Sequence, residues 1–241
     1  METEFKSVST NGGMRMSKRN KKLHGVKNVI WDLDNTIWIH REDEYKMVSD
    51  FFNINDCDKM KEQYYKIFSA YDFSFRNKKV KKEKFKAIVK YHMPILEEHG
   101  IGVDEFMNSW MTLQTNYLND GVCEILKYLK KRNYKNYVLS DWFEETQLYN
   151  LKEYNILDYF EEISASDNQY LKANPKSDGR IVNPQKKDEY VIIGDSLQSD
   201  IAFANRNQIR SIWYNRLRRE NNTEFIPTIE IENLRQIINY L

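Results

Sequence analysis

Hydrophobic positions along this chain follow two periods. Short continuous apolar runs end in small polar or acidic residues, and stretches with helical spacing separate them. The first run, Val29-Ile30-Trp31, stops at Asp32. Its strongest second copy, Tyr190-Val191-Ile192-Ile193, stops at Gly194-Asp195. Runs of this length bounded by turn residues predict buried strands of a parallel sheet. The pattern predicts strands over 28–33, 137–141, 162–165, 190–195 and 210–214. It predicts helices over 122–132, 143–154, 199–205 and 231–241. In the first of these, Val122, Ile125, Leu126 and Leu129 share one face. Strands alternating with helices imply right-handed crossovers and an α/β fold with a parallel sheet.

From residue 41 to 119 the period is helical throughout. Met60, Tyr64, Ile67 and Phe68 fall near one face of 56–71. Phe85, Ile88 and Val89 do so over 80–93, which Pro94 interrupts. A stripe of Phe106, Trp110, Leu113 and Tyr117 predicts a helix over 103–118, and no strand is expected in this block. The reading is a helical insert over the carboxyl edge of the sheet, where it would exclude water. The expected organisation is a flexible basic tail at 1–25, a catalytic core at 26–40 and 120–241, and a helical cap at 41–119.

Composition narrows the class. The chain has 241 residues, 41% of them apolar, enough for one large domain or two small ones. A net charge of +1 argues against a general nucleic-acid or membrane-surface binder. No apolar run approaches the length of a membrane span. Residues 1–25 are polar and basic and lack the apolar core of a signal peptide. Cys57 and Cys123 lie far apart and read as reduced thiols of a cytoplasmic protein. His24, His40, His92 and His99 are scattered, and no zinc site is assigned. The charge run at 76–84 reads as a solvated helix start.

Chemistry concentrates at the strand ends. Asp32 and Asp34 stand one residue apart and, on an extended backbone, on the same side. The second strand delivers Ser140 and Asp141, the loop after the third Lys172, and the fourth Asp195, followed by Ser196 and Asp200. Adjacent parallel strands bring such residues to one crevice. An aspartate-rich site suits a hard cation, usually Mg²⁺. Beside it, Lys172 can offset phosphate charge and Ser140 can donate a hydrogen bond. An ionised aspartate in line with the phosphorus can attack it, and a second carboxyl can protonate the leaving alcohol. Asp141, an extra carboxylate near a phosphate, should point away or meet a substrate hydroxyl. In the insert, Tyr45, Tyr71 and Phe73 are candidates to face the site.

Asp32-Leu33-Asp34-Asn35-Thr36, Leu139-Ser140, Lys172 and Ile193-Gly194-Asp195-Ser196-Leu197-Gln198-Ser199-Asp200 together resemble the four motifs of the haloacid dehalogenase-like hydrolases, in the phosphatase branch with an inserted helical cap. The resemblance implies a Rossmann-like, three-layer core with strand order 5-4-1-2-3. It implies Asp32 as nucleophile and Asp34 as acid/base, with the Asp34 backbone carbonyl also a metal ligand. Asp195 would bind Mg²⁺ directly. Asp200 would hold the metal's water shell or orient Lys172, with Thr36 and Ser196 in support. The lysine motif departs from the family, since Ala173 and not proline follows Lys172. Lys172 stands closer to the third strand, and Lys176 is the alternative. The implied activity is Mg²⁺-dependent hydrolysis of a small phosphomonoester, a nucleotide or sugar phosphate, through an aspartyl-phosphate. A phosphosugar mutase and a non-catalytic binding protein are the alternatives; a nucleic-acid or membrane partner is not expected.

Overall fold

The computed structural model describes residues 22–167, 169–177 and 180–241. The tail expected at 1–25 lies, as far as residue 21, outside the described residues.

The chain opens with β1 (Asn28–Trp31), buried at every position. After a turn come β2 (Trp38–His40) and five helices: α1 (Glu44–Phe51), α2 (Cys57–Phe75), α3 (Lys82–His92), α4 (Pro94–Glu98) and α5 (Val103–Trp110). β3 (Asn116–Leu118) returns the chain to the sheet. There follow α6 (Val122–Lys131), β4 (Lys135–Leu139), α7 (Glu144–Glu153), β5 (Phe160–Ser164) and β6 (Tyr190–Gly194). A π-helical turn over Leu197–Ile201 leads into α8 (Ala202–Asn207), then β7 (Arg210–Tyr214) and β8 (Ile229–Ile231).

Six strands form one parallel sheet in the order β5-β4-β1-β6-β7-β8. This is the expected Rossmann-like order of five core strands, with β8 added on the edge. β1 sits between β4 and β6, so its carboxyl end is flanked by theirs. Strand alternation divides the core. Val29, Trp31, Val191 and Ile193 pack with Val122, Ile125, Leu126 and Leu129 of α6 on one face. Ile30 and Ile192 pack with Phe203 and Ala204 of α8 on the other.

Two sequence expectations are corrected. The helix predicted over 103–118 ends at Trp110, and Asn116–Leu118 pairs antiparallel with β2. The Trp110 stripe is real, but the segment leaving the insert must pair beside the segment entering it. Asn116 is buried there and Tyr117 is 50% exposed, a strand alternation and not a helical one. The helix predicted over 231–241 is likewise replaced by β8 and a 3₁₀ segment, Leu234–Asn239. Asn233 and Gln236 form a capping box at its start, while Ile231, Leu234, Ile237 and Leu241 bury themselves under the sheet. Tertiary burial overrides helical spacing at both places.

Helices α1–α5 carry their own core. Met60, Tyr64, Ile67, Phe85, Phe106 and Trp110 pack together with Phe143 and Leu171, which come from loops at the sheet's carboxyl edge. The insert is therefore seated on the loops that carry the candidate chemistry. Among the described residues no helix is long and apolar enough to cross a membrane.

Phe85 is fully buried at the centre of this second core. Phe85→Ala is expected to lower unfolding free energy by about 3–5 kcal/mol, the usual range for emptying an aromatic site, measured by urea denaturation.

Candidate active site

The acidic stretch after β1 is built as a tight turn. The Asp32 N–H continues the sheet by donating to Ile193 O (2.9 Å), and Thr36, Ile37 and Trp38 all donate back to Leu33 O. Asn35 takes the left-handed conformation at φ 60°, which asparagine tolerates better than most side chains. The turn sends Asp32 and Asp34 into different surroundings.

Asp32 enters a buried cluster. Its Oδ1 lies 2.5 Å from Lys172 Nζ, and its Oδ2 accepts from Thr36 Oγ1 at 3.0 Å. Lys172 Nζ also lies 2.6 Å from Asp200 Oδ1 and donates to Leu139 O at 3.1 Å. The Lys172 and Asp200 side chains are 2% and 1% exposed, so these are charges held away from water. Asp200 Oδ2 accepts from Ser196 N at 3.0 Å, and Ser196 Oγ caps the π-helical turn by accepting from Ser199 N. Lys176, the alternative lysine, is exposed.

Asp34 faces away from that cluster. Its Oδ1 accepts from Trp38 Nε1 (3.0 Å) and lies 2.9 Å from His40 Nε2, while its Oδ2 accepts from Gln147 Nε2 (2.7 Å). The same Gln147 amide donates to Ser140 Oγ at 2.7 Å, which also accepts from Trp142 N. The Ser140 hydroxyl hydrogen is left to give to a ligand. His40 Nδ1 lies 3.4 Å from Glu44 Oε2, and Glu44 Oε1 accepts from Tyr64 OH and Thr115 Oγ1.

Asp141 is committed to the fold. Its Oδ1 accepts from Lys172 N at 2.6 Å and its Oδ2 from Ser199 Oγ at 2.7 Å. The carboxylate thus ties the lysine loop to the π-helical turn, while Asp141 also lines the cavity at Asp34. Of the insert residues, Tyr71 lines the cavity at Asp34 and Asn35. Phe73 is 82% exposed, and Tyr45 is not among the residues lining that cavity.

The two carboxylates of the turn are pushed in opposite directions. Burial raises Asp32 to about 7; Lys172 opposes this, while Asp195 and Asp34 add to it. Asp195 and Asp200 are raised to about 7 as well, chiefly by burial and then by neighbouring carboxylates. Burial also works against an ionised Asp34, but the bonds from His40, Trp38 and Gln147 outweigh it and hold its pKa below the ordinary value. Burial disfavours the His40 imidazolium too; the bonds to Asp34 and Glu44 prevail and push His40 up to about 10.

Asp32, Asp195 and Asp200 offer oxygens within 4.8 Å of one another. Lys172 lies between Asp32 and Asp200, and the largely exposed Arg219 stands 3.9 Å from Asp195, so the buried part of the set is net negative when ionised. An all-oxygen donor set with that charge fits a hard divalent cation. The Asp34 side chain is outside this set, so the metal role anticipated for it rests on its backbone carbonyl alone.

Gly194 makes the cluster possible. A Cβ there would stand 2.2 Å from Asp200 Cγ. The sequence reading also passed over His40, Glu44 and Gln147. The i,i+4 spacing of His40 and Glu44 is a signal that could have joined them; Gln147 sits on a helix whose pattern marks no residue.

A family model described as haloacid dehalogenase-like hydrolase matches residues 29–214. The chain belongs to the haloacid dehalogenase-like hydrolases. Among solved structures it is similar to the HAD-hydrolase YfnB from Bacillus subtilis bound to magnesium, at 21% identity, TM-score 0.67, with 88% of this chain and 96% of that one covered. It is also similar to a HAD phosphatase from Thermococcus onnurineus (20% identity, TM-score 0.60, 88% and 96% covered). A 2-haloacid dehalogenase from Pseudomonas syringae pv. Tomato DC3000 is comparable (19%, TM-score 0.63, 88% and 96%). At these identities the likeness is one of fold. No curated protein matches the sequence.

Gly194→Ala is expected to cost about 1–3 kcal/mol, as overpacking does, because Asp200 must move; urea denaturation measures it. Lys172→Met is expected to cost about 3–5 kcal/mol by stranding buried carboxylates. With Asp32, Asp195 and Asp200 near 7 when folded and near 3.8 when unfolded, the folded state holds more protons between those values. Their contribution therefore falls as pH rises through about 7. Removing the ammonium deepens that fall, so the penalty in metal-free protein should be larger at pH 8 than at pH 5 by thermal or urea unfolding.

Proposed function

We propose that this hydrolase cleaves small phosphomonoesters in a Mg²⁺-dependent reaction through an aspartyl-phosphate on Asp32. The observation that carries this reading is the division of the two carboxylates. Asp32 stands with Lys172 and the acidic cluster, while Asp34 stands with a proton-bearing histidine. A dehalogenase displaces halide from carbon and needs neither a proton for the leaving group nor a cation. Phosphoryl transfer uses both.

Mg²⁺ held by Asp32, Asp195 and the Asp34 carbonyl would neutralise charge on the phosphoryl oxygens and favour the ionised form of Asp32. Magnesium in the YfnB structure supports this choice of cation. Asp32 attacks phosphorus and the ester P–O bond breaks. Lys172 Nζ and the Ser140 hydroxyl face the developing charge. The departing oxygen takes a proton from the Asp34–His40 pair, since Asp34 alone is too acidic to hold one and His40 Nε2 lies 2.9 Å away. Water then attacks the aspartyl-phosphate, its proton returns to Asp34, and inorganic phosphate leaves. Residues 41–119 act as a cap over the core formed by 26–40 and 120–241. Free Cys57 and Cys123 suit a reducing, cytoplasmic setting.

Phosphate release from a panel of monoesters, with Mg²⁺ and with EDTA, tests the reading. Release should require Mg²⁺, and Asp32→Asn should lower kcat by at least about a thousandfold. Halide release from 2-chloropropionate without phosphatase activity, or isomerisation of a sugar phosphate without free phosphate, would overturn it.

A further inference from the structure

The side of Asp34 away from the acidic cluster opens into a cavity of about 410 Å³ between the insert and the sheet. That volume lies in the range of small-molecule sites, about 300–1,000 Å³. Its walls carry several aromatic side chains. Phe68 and Trp110 come from the insert and Trp142 from the loop after β4. Their ring centroids lie 5.7–5.9 Å apart pairwise, and Tyr71 stands 5.0 Å from Trp142. Phe68 and Trp142 are only partly buried, so apolar ring surface faces the cavity.

The charge lining the cavity has one sign beyond His40. No lysine or arginine lines it among the described residues. Three of its carboxylates are committed: Asp34 and Glu44 to His40, Asp141 to Lys172 N and Ser199. Asp72 has no such commitment. Among the described residues no side-chain hydrogen bond or salt bridge holds it; it is exposed, and partial burial followed by Asp141 raises its pKa while Arg76 opposes the rise. Of the cationic residues nearby, Arg216 and Arg219 line a separate cavity of about 210 Å³ beside Asp195, and Arg76 acts on Asp72 without lining this cavity.

We infer that the leaving alcohol of the substrate carries an uncharged aromatic ring, which stacks on Phe68 and Trp142 and offers a hydrogen-bond donor to Asp72. This rests on the phosphomonoesterase reading and narrows it. A bare sugar phosphate leaves the aromatic wall unpaired. A second anionic group on the alcohol meets the like charge of Asp72 on the cavity wall.

Adenosine 5′-monophosphate and ribose 5-phosphate present the same ester oxygen with and without a ring, so intrinsic reactivity is matched. The purified protein with Mg²⁺ should show kcat/KM at least about tenfold higher for the nucleotide, as base–aromatic stacking would give. Phe68→Ala should shrink that ratio. Adenosine 3′,5′-bisphosphate should be poorer than the monophosphate, and Asp72→Lys should narrow the gap. Equal or better turnover of ribose 5-phosphate, or an equal loss on both esters in Phe68→Ala, overturns the inference while leaving phosphatase function standing. If no ester is hydrolysed, the function reading fails, and tryptophan fluorescence then decides the inference separately. Quenching by adenosine but not by ribose upholds it; no difference between them overturns it.

Discussion

A buried ammonium between two buried carboxylates holds this site together. Lys172 bridges Asp32 and Asp200 with almost no access to water. Such an arrangement stands only if every charge is paired, because removing one partner strands another. The surrounding chain meets that demand from several directions. Leu139 O takes one more proton of the ammonium, Thr36 and Ser196 N satisfy the remaining carboxylate oxygens, and Arg206 donates to Lys172 O. Asp141 fixes the lysine backbone, and Gly194 leaves room for Asp200. Burial raises its carboxyls, their mutual repulsion adds to this, and a divalent cation suits such a set.

The insert is tied to the same loops. Tyr71 OH donates to Asp141 O, Asn174 Nδ2 donates to Arg76 O, and Val80 N donates to Gln169 O. Trp142 and Phe143 follow directly after Ser140 and Asp141 and pack into the insert's aromatic core. The loop that offers the Ser140 hydroxyl is thereby also a wall of the cavity. Any rearrangement of the insert would be felt at the lysine loop, and the converse holds.

Asp32 and Asp34 show how one turn gives two similar side chains different chemistry. One is surrounded by carboxylates and a lysine, the other by a histidine, an indole and an amide. His40, itself close to Glu44, pairs with Asp34 at 2.9 Å. Glu44 reaches through Tyr64 to Trp110 in the insert's core, so the packing of the insert bears on the surroundings of His40.

Much of this was legible before any coordinates. Apolar runs ending in Asp32, Ser140 and Asp195 announced parallel strands and the residues at their ends, because burial on both faces forces continuous hydrophobic runs. The resemblance of the motifs to a known family implied the sheet order, and the helical spacing over 41–119 marked the insert. Local pattern failed where the partner was distant in sequence. The strand at Asn116–Leu118 exists because β2 lies beside it, and β8 because β7 does. The use of Asp141 as a clamp and the pairing of His40 with Asp34 were likewise decided by the tertiary structure. Each turns on contacts between loops brought together by the sheet, and residue type alone does not tell a carboxylate which neighbour it will meet. The sequence determined which chemical groups reach the carboxyl edge; only packing decided which of them bond to one another and which remain free for a ligand.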